Sequence, residues 1–159
     1  MRRPRESGFT LIEMIVTVAL VAIIASVATP FFKIQQQREK ERELKAALRE
    51  IRSAIDAYKL AGDEGRIARA ADSTGYPKSL DQLVTGVVDQ RDPKRRKIHF
   101  LRRIPYDPMN PSSPTSAADS WGKRSYASDA DDPQEGVDVY DVFSLSDRTG
   151  INGIPYRKW

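Results

Sequence analysis

The sequence predicts an α+β protein: one long N-terminal helix whose first half can span a membrane and whose second half packs on a small antiparallel β-sheet head. Three observations predict it. A run of 22 residues from Leu11 to Phe32 contains one ionisable side chain, Glu13. Farther on, Leu44, Leu48, Ile51, Ile55 and Tyr58 recur at alternating steps of four and three, the apolar stripe of an amphipathic helix. Short segments rich in β-branched and aromatic residues follow, with Val137-Asp-Val-Tyr-Asp-Val-Phe-Ser144 the strongest strand signal.

A chain of 159 residues suits one small domain plus an appendage. It is 30% charged, with a mean hydropathy of -0.54, so its average looks soluble. That average hides the concentration of apolar sequence between Leu11 and Phe32. The formal charge of +4 owes much to Arg2, Arg3 and Arg5. The body is only mildly basic, which does not argue for nucleic acid. The absence of cysteine excludes a disulfide framework, a thiol nucleophile and thiolate metal sites.

Residues 1–8 form a short basic leader. Leu11 to Phe32 is about 33 Å long as a helix, enough for a hydrocarbon core of about 30 Å. Arginines before the run and none within it favour a cytoplasmic N-terminus and a C-terminal part on the other side. A secretory signal peptide cut before Thr29, an uncleaved signal anchor and a buried core helix are the competing readings. Glu13 argues against all three. A carboxylate in an apolar span costs several kcal/mol unless it is paired, and such residues are functional by default. If the chain is cut after Gly8, the new α-amino group of Phe9 is a cation at the same depth in a neighbouring copy. Glu13 of one copy could then pair with Phe9 of the next.

The string Gly8-Phe9-Thr10-Leu11-Ile12-Glu13 resembles the processing site of type IV prepilins and of the pseudopilins of type II secretion. The resemblance implies a pilin-like fold, cleavage by a prepilin peptidase after Gly8 and N-methylation of Phe9. It also implies that Glu13 governs docking during assembly, and Pro30 sits where these helices commonly carry a proline. Proline removes a backbone donor and clashes with the preceding turn, so it kinks or locally melts a helix. The helix could end there, but periodicity resumes beyond it and predicts continuation. The reading is therefore a leader over 1–8, a transmembrane and filament-core helix over 9–32, an amphipathic continuation over 33–61 and a periplasmic α/β head over 62–159.

Gln35 to Arg49 is rich in mixed charge and suits an exposed helix. Ala47 and Ala54 flank the apolar stripe, which is too short for a convincing coiled coil. Gly62-Asp-Glu-Gly65 ends the helix. Ser79 and Gln82 fit a capping box opening a short helix, with Leu80, Leu83 and Val84 facing inward. Asp89 to Lys97 reads as a solvated loop despite Lys94-Arg-Arg-Lys97, since no aromatic platform accompanies the cations. No nucleic-acid partner is expected. Asp129-Ala-Asp-Asp132 reads as a turn rather than an ion site.

Four head segments resemble the major pseudopilins, the protein G class of the general secretion pathway. These are Tyr76-Pro-Lys-Ser-Leu80, Phe100-Leu-Arg-Arg-Ile-Pro-Tyr-Asp107-Pro108, Trp121-Gly122 with Tyr126, and the strand at 137–144. An insertion over 108–120 separates the second from the third and marks a divergent branch. The class holds calcium in the loop after its last strand, through hard oxygen ligands. Asp147 matches the first acidic position. The second aspartate, before the terminal Trp, is missing, and residues 148–159 contain no Asp or Glu. Asn152 and backbone carbonyls could substitute. The alternative is a loop held by hydrogen bonds and by packing of Ile154, Tyr156 and Trp159.

Nothing suggests catalysis. His99 is expected at a strand edge without an acid beside it, and there is no phosphate loop or nucleophile elbow. A signal-anchored periplasmic enzyme is the remote alternative. The resemblance implies a structural subunit of a type II secretion pseudopilus, in the inner membrane before assembly and in the periplasm after it. Its implied partners are further copies of itself, minor pseudopilins, the prepilin peptidase, the inner-membrane assembly platform and the lipid membrane. A type IV pilin for adhesion, twitching or DNA uptake is the closer alternative. The head signatures and the lack of a C-terminal cysteine pair weigh against it.

Overall fold

The computed structural model describes residues 8–70, 72–110 and 115–159, and for residues 27–30 the backbone alone. Residues 1–7 of the basic leader and 111–114 of the insertion lie outside the described residues. The chain divides into two compact units between Glu39 and Lys40.

Helix α1 covers Leu11–Asp63 and is assigned as one helix across Pro30. It starts where Thr10 supplies an N-cap. The Glu13 N–H donates to Thr10 Oγ1 at 3.3 Å, and the Met14 N–H donates to the Thr10 carbonyl at 3.2 Å. A side-chain acceptor there satisfies one of the four donors that a helix start leaves open. Every described side chain from Leu11 to Ser26 is exposed.

From Lys40 onward the pattern reverses. The stripe Leu44, Ala47, Leu48, Ile51, Ala54, Ile55 and Tyr58 is buried throughout, as its spacing predicts. It packs with Leu80, Leu83, Leu101, Trp121, Val142 and Tyr156 as one core. Burying each Leu or Ile stabilises the fold by about 1.5–3 kcal/mol. The helix stops after Asp63. Gly65 then takes a left-handed φ of 71°, and the Arg66 and Ile67 amides donate back to the Ala61 carbonyl at 2.9 and 3.3 Å. That return fills carbonyls the helix end leaves open.

Helix α2 is short, Leu80–Thr85, with Leu80 and Leu83 fully buried. The predicted capping box forms only in part. Ser79 is the N-cap but makes no side-chain bond, and Gln82 Oε1 accepts from the Lys78 N–H at 3.0 Å. Val84 is half-buried and packs against the core from its edge.

The α+β class holds, but the head carries two small ribbons rather than one sheet. Strands β1 (Val87–Val88) and β2 (Lys97–Ile98) pair antiparallel, with Val87 opposite Ile98. Strands β3 (Trp121–Arg124) and β4 (Asp141–Ser144) pair antiparallel, with Trp121 opposite Ser144. Gly122 lies across from Phe143, whose ring would stand 2.3 Å from any added Cβ. The strand predicted over 137–144 is thus half as long. Its first half bonds elsewhere: Val139 N–H donates to the Pro77 carbonyl and Tyr140 N–H to the Arg124 carbonyl, both at 2.8 Å. A three-residue 3-10 turn, Ala118–Ser120, closes the insertion onto β3, and a second, Tyr156–Lys158, lies near the C-terminus.

Candidate processing and assembly site

Gly8 and Phe9 precede the first helical turn, and Phe9 is 79% exposed. The Thr10 cap leaves the Gly8–Phe9 peptide bond outside the helix, where the backbone is free of helical hydrogen bonding. Thr10-Leu-Ile-Glu13 has the Ser/Thr-x-x-Glu spacing of a capping box. Sequence reasoning applied that spacing to Ser79 and overlooked it at Thr10, where the side-chain bond forms.

Glu13 stands in the first turn, where a carboxylate faces the positive end of the helix dipole. Its carboxylate has no hydrogen bond or ion pair among the described residues. The hydroxyls nearby differ. Thr17 Oγ1 donates to the Met14 carbonyl at 2.9 Å, and Ser26 Oγ donates to the Ile23 carbonyl at 2.7 Å. Hydroxyls satisfied by their own helix suit a lipid environment. The best 18-residue window of α1 has a mean hydropathy of 2.6 with no part of it buried. Pro30 lies within the helix.

In the head, the segments singled out by resemblance brace one another. Asp107 is buried and accepts from the Met109 N–H at 2.8 Å and from Ser144 Oγ of β4 at 2.6 Å. Trp121 is 1% exposed, and its Nε1–H donates to the Pro105 carbonyl at 2.8 Å. Tyr76 stacks on Tyr126 at 5.6 Å and meets Tyr140 edge-on at 5.0 Å. Each motif is therefore one side of a contact whose other side is another motif.

A prokaryotic N-terminal methylation motif matches residues 3–29. The type II secretion system core protein G of Pseudomonas aeruginosa is 31% identical over 112 residues, covering 68% of this chain and 71% of that protein. This chain belongs to the type II secretion core protein G family. The core protein G of Aeromonas hydrophila is 26% identical over 142 residues, covering 87% and 92% of the two chains. The type IV major pilin protein PilA of Myxococcus xanthus is 34% identical over 73 residues, only 32% of its length. No solved structure matches. Family and exposed apolar helix together mark this core protein G relative as membrane-anchored.

The loop that the resemblance associates with calcium carries a single carboxylate side chain, Asp147. Asp147 is exposed, and Asn152 Oδ1 already accepts from the Ile154 N–H at 3.0 Å. Backbone oxygens of the loop are engaged as well. The Arg148 carbonyl takes the Tyr156 N–H at 3.1 Å, and the Gly150 carbonyl takes the Gly153 N–H at 2.9 Å. No cluster of three or more His, Cys, Asp or Glu side chains suited to a metal occurs among the described residues. Asp147 and Asn152 do not fit a calcium cage, which takes six to eight oxygens. Tyr156 is fully buried beside Trp159, whereas Ile154 is 46% exposed and serves the loop through its backbone.

Two other sequence candidates have structural jobs. His99 Nδ1 stands 2.8 Å from the Val84 carbonyl, the position of an N–H donor. Asp92 organises the basic loop, accepting from the Lys94 N–H at 3.0 Å and from Arg96 Nε at 2.6 Å. A cleft of about 560 Å³ is lined by Tyr58, Arg69, Thr74, Tyr76 and Asp138 among others. Its one buried carboxylate, Asp138, is occupied by Thr74, by Ser125 Oγ at 2.7 Å and by the Tyr126 N–H at 3.0 Å.

Proposed function

We propose that the chain is a structural subunit of a type II secretion pseudopilus, made as a membrane-anchored precursor and polymerised through its N-terminal helix. The leader ending at Gly8 stays cytoplasmic and is removed by a prepilin peptidase. Phe9 becomes the methylated N-terminus, and the head over 62–159 lies in the periplasm. An inner-membrane assembly platform then builds the subunits, with minor pseudopilins, into a filament that drives folded proteins across the outer membrane.

The observation that carries this reading is a carboxylate without a partner among the described residues, at the head of an exposed apolar helix and four residues past the exposed Phe9. Moving apolar side chains from lipid to a filament core gains little hydrophobic free energy, because lipid tails are as apolar as leucine. Packing holds the helices together without choosing their register. A carboxylate that costs about 3 kcal/mol in hydrocarbon is relieved only where the Phe9 amine of the adjacent copy meets it. The Glu13–Phe9 pair thereby selects one axial step. The pilin alternative rests on a match confined to 46% of this chain. The braced Phe100–Pro108 and Trp121-Gly122 segments favour the secretion reading.

Mass spectrometry of the mature protein tests the processing site. A chain starting at Phe9 and carrying one added methyl is expected, and Gly8→Val is expected to leave the precursor intact. A Gly8→Val variant that still matures to Phe9 contradicts the proposed site.

A further inference from the structure

The last loop is tied to α1 at three points on one helix face, and none of them uses a metal. Glu41, Lys45 and Arg52 stand at steps of four and seven, so they share a face. Glu41 Oε1 accepts from the Ile151 N–H at 2.8 Å and from the Tyr156 hydroxyl at 2.9 Å. The Lys45 ammonium lies 4.5 Å from the centre of the Trp159 ring. Arg52 donates to Asp141 Oδ1 at 2.8 Å, to the Val142 carbonyl at 3.1 Å and to the Trp159 carbonyl at 2.7 Å.

The polarity of this wiring matters more than its extent. A calcium ion closes a loop by gathering oxygens. Here the Ile154 carbonyl is already taken by two donors, Gly150 N–H and Trp159 Nε1–H, at 2.9 and 3.2 Å. Thr149 and Pro155 form an antiparallel bridge across the loop. Donors of the loop, the Ile151 amide and the Tyr156 hydroxyl, turn instead to a carboxylate on the helix. Such a loop calls for an anion at its anchor, and Glu41 supplies it covalently.

We propose that Ser146–Trp159 is closed by a metal-free clasp from α1, with Glu41 as its anchor, and that calcium plays no part in folding this subunit. The inference concerns the unit from Lys40 onward and stands apart from whether the filament serves secretion or adhesion. Tyr156 is fully buried. Losing Glu41 therefore removes an acceptor from a buried hydroxyl and two charge-assisted bonds from the loop.

The test uses the full-length chain in detergent micelles, with calcium itself as the probe. Thermal unfolding is followed in chelator and in millimolar calcium, together with calorimetric titration of calcium and limited proteolysis of the last loop. For the unaltered chain the two melting curves coincide, the titration gives no heat of binding, and the loop resists protease in chelator. Glu41→Ala lowers Tm by about 4 °C equally in both conditions and opens the loop to protease. Glu41→Gln keeps one acceptor oxygen, shifts Tm less, and provides the comparison if the alanine variant does not fold. A rise in Tm with calcium, a measurable calcium affinity, or a Glu41→Ala loop as protected as the original overturns the proposal.

Discussion

Asp138 holds three donors at once: the Thr74 and Ser125 hydroxyls and the Tyr126 amide. Burial pushes its carboxyl upward, but those hydrogen bonds outweigh burial and leave it below the usual carboxylate value. Asp63, Asp89 and Asp92 shift the same way, chiefly through hydrogen bonds from Lys59, Arg66 and Arg96 at the surface. A carboxylate with a depressed folded pKa stabilises the fold above its unfolded value, about 3.9. That contribution disappears as pH falls through the folded value. The head is therefore expected to lose stability on acidification below about pH 4. Asp138→Asn should lower Tm at neutral pH and flatten that acid limb, read as Tm against pH. An unchanged acid limb would remove Asp138 from the account. Glu13 is the opposite kind of carboxylate. It has no donor among the described residues, and in the proposed assembly its partner is the Phe9 amine of another copy.

At the scale of elements, the stripe along α1 carries most of the head's core. Ile51 is fully buried at its centre. Ile51→Ala is expected to cost about 3 kcal/mol, visible as a lower denaturation midpoint with cleavage after Gly8 unaffected. This stripe was legible in the sequence because helical periodicity is local and strong. The Trp121, Asp107 and Tyr76 contacts were legible only as motifs, since their partners lie far along the chain. Strand length was misread for a similar reason. Residues 137–140 have strand composition, but the Val139 donor goes to Pro77 outside either ribbon, and only Tyr140 still reaches β3, at Arg124. The capping spacing at Ser79 was visible, yet Gln82 bonds to Lys78 instead. The clasp at Glu41 could not be read from sequence. It joins residues 110 and 115 positions apart, and Glu41 sits inside a charged stretch that looks uniformly solvated.

At the scale of the whole molecule, the two units solve opposite problems. Residues from Lys40 onward build a buried apolar core and direct their polar groups to one another; among the described residues no buried side-chain nitrogen or oxygen lacks a partner. Up to Glu39 the described large apolar side chains face outward, among them Phe9, Leu20, Ile24, Phe31 and Ile34. The first unit is thus finished only by lipid before assembly and by copies of itself after it. The central claim is that Glu13 sets how those copies meet. The most direct measurement is electron microscopy of pseudopili formed by Glu13→Ala, alongside mass spectrometry of the processed subunit. The account predicts a subunit that is cleaved before Phe9 and methylated as usual, stays in the inner membrane and forms no filament. Filaments of normal length and abundance from that variant would contradict it.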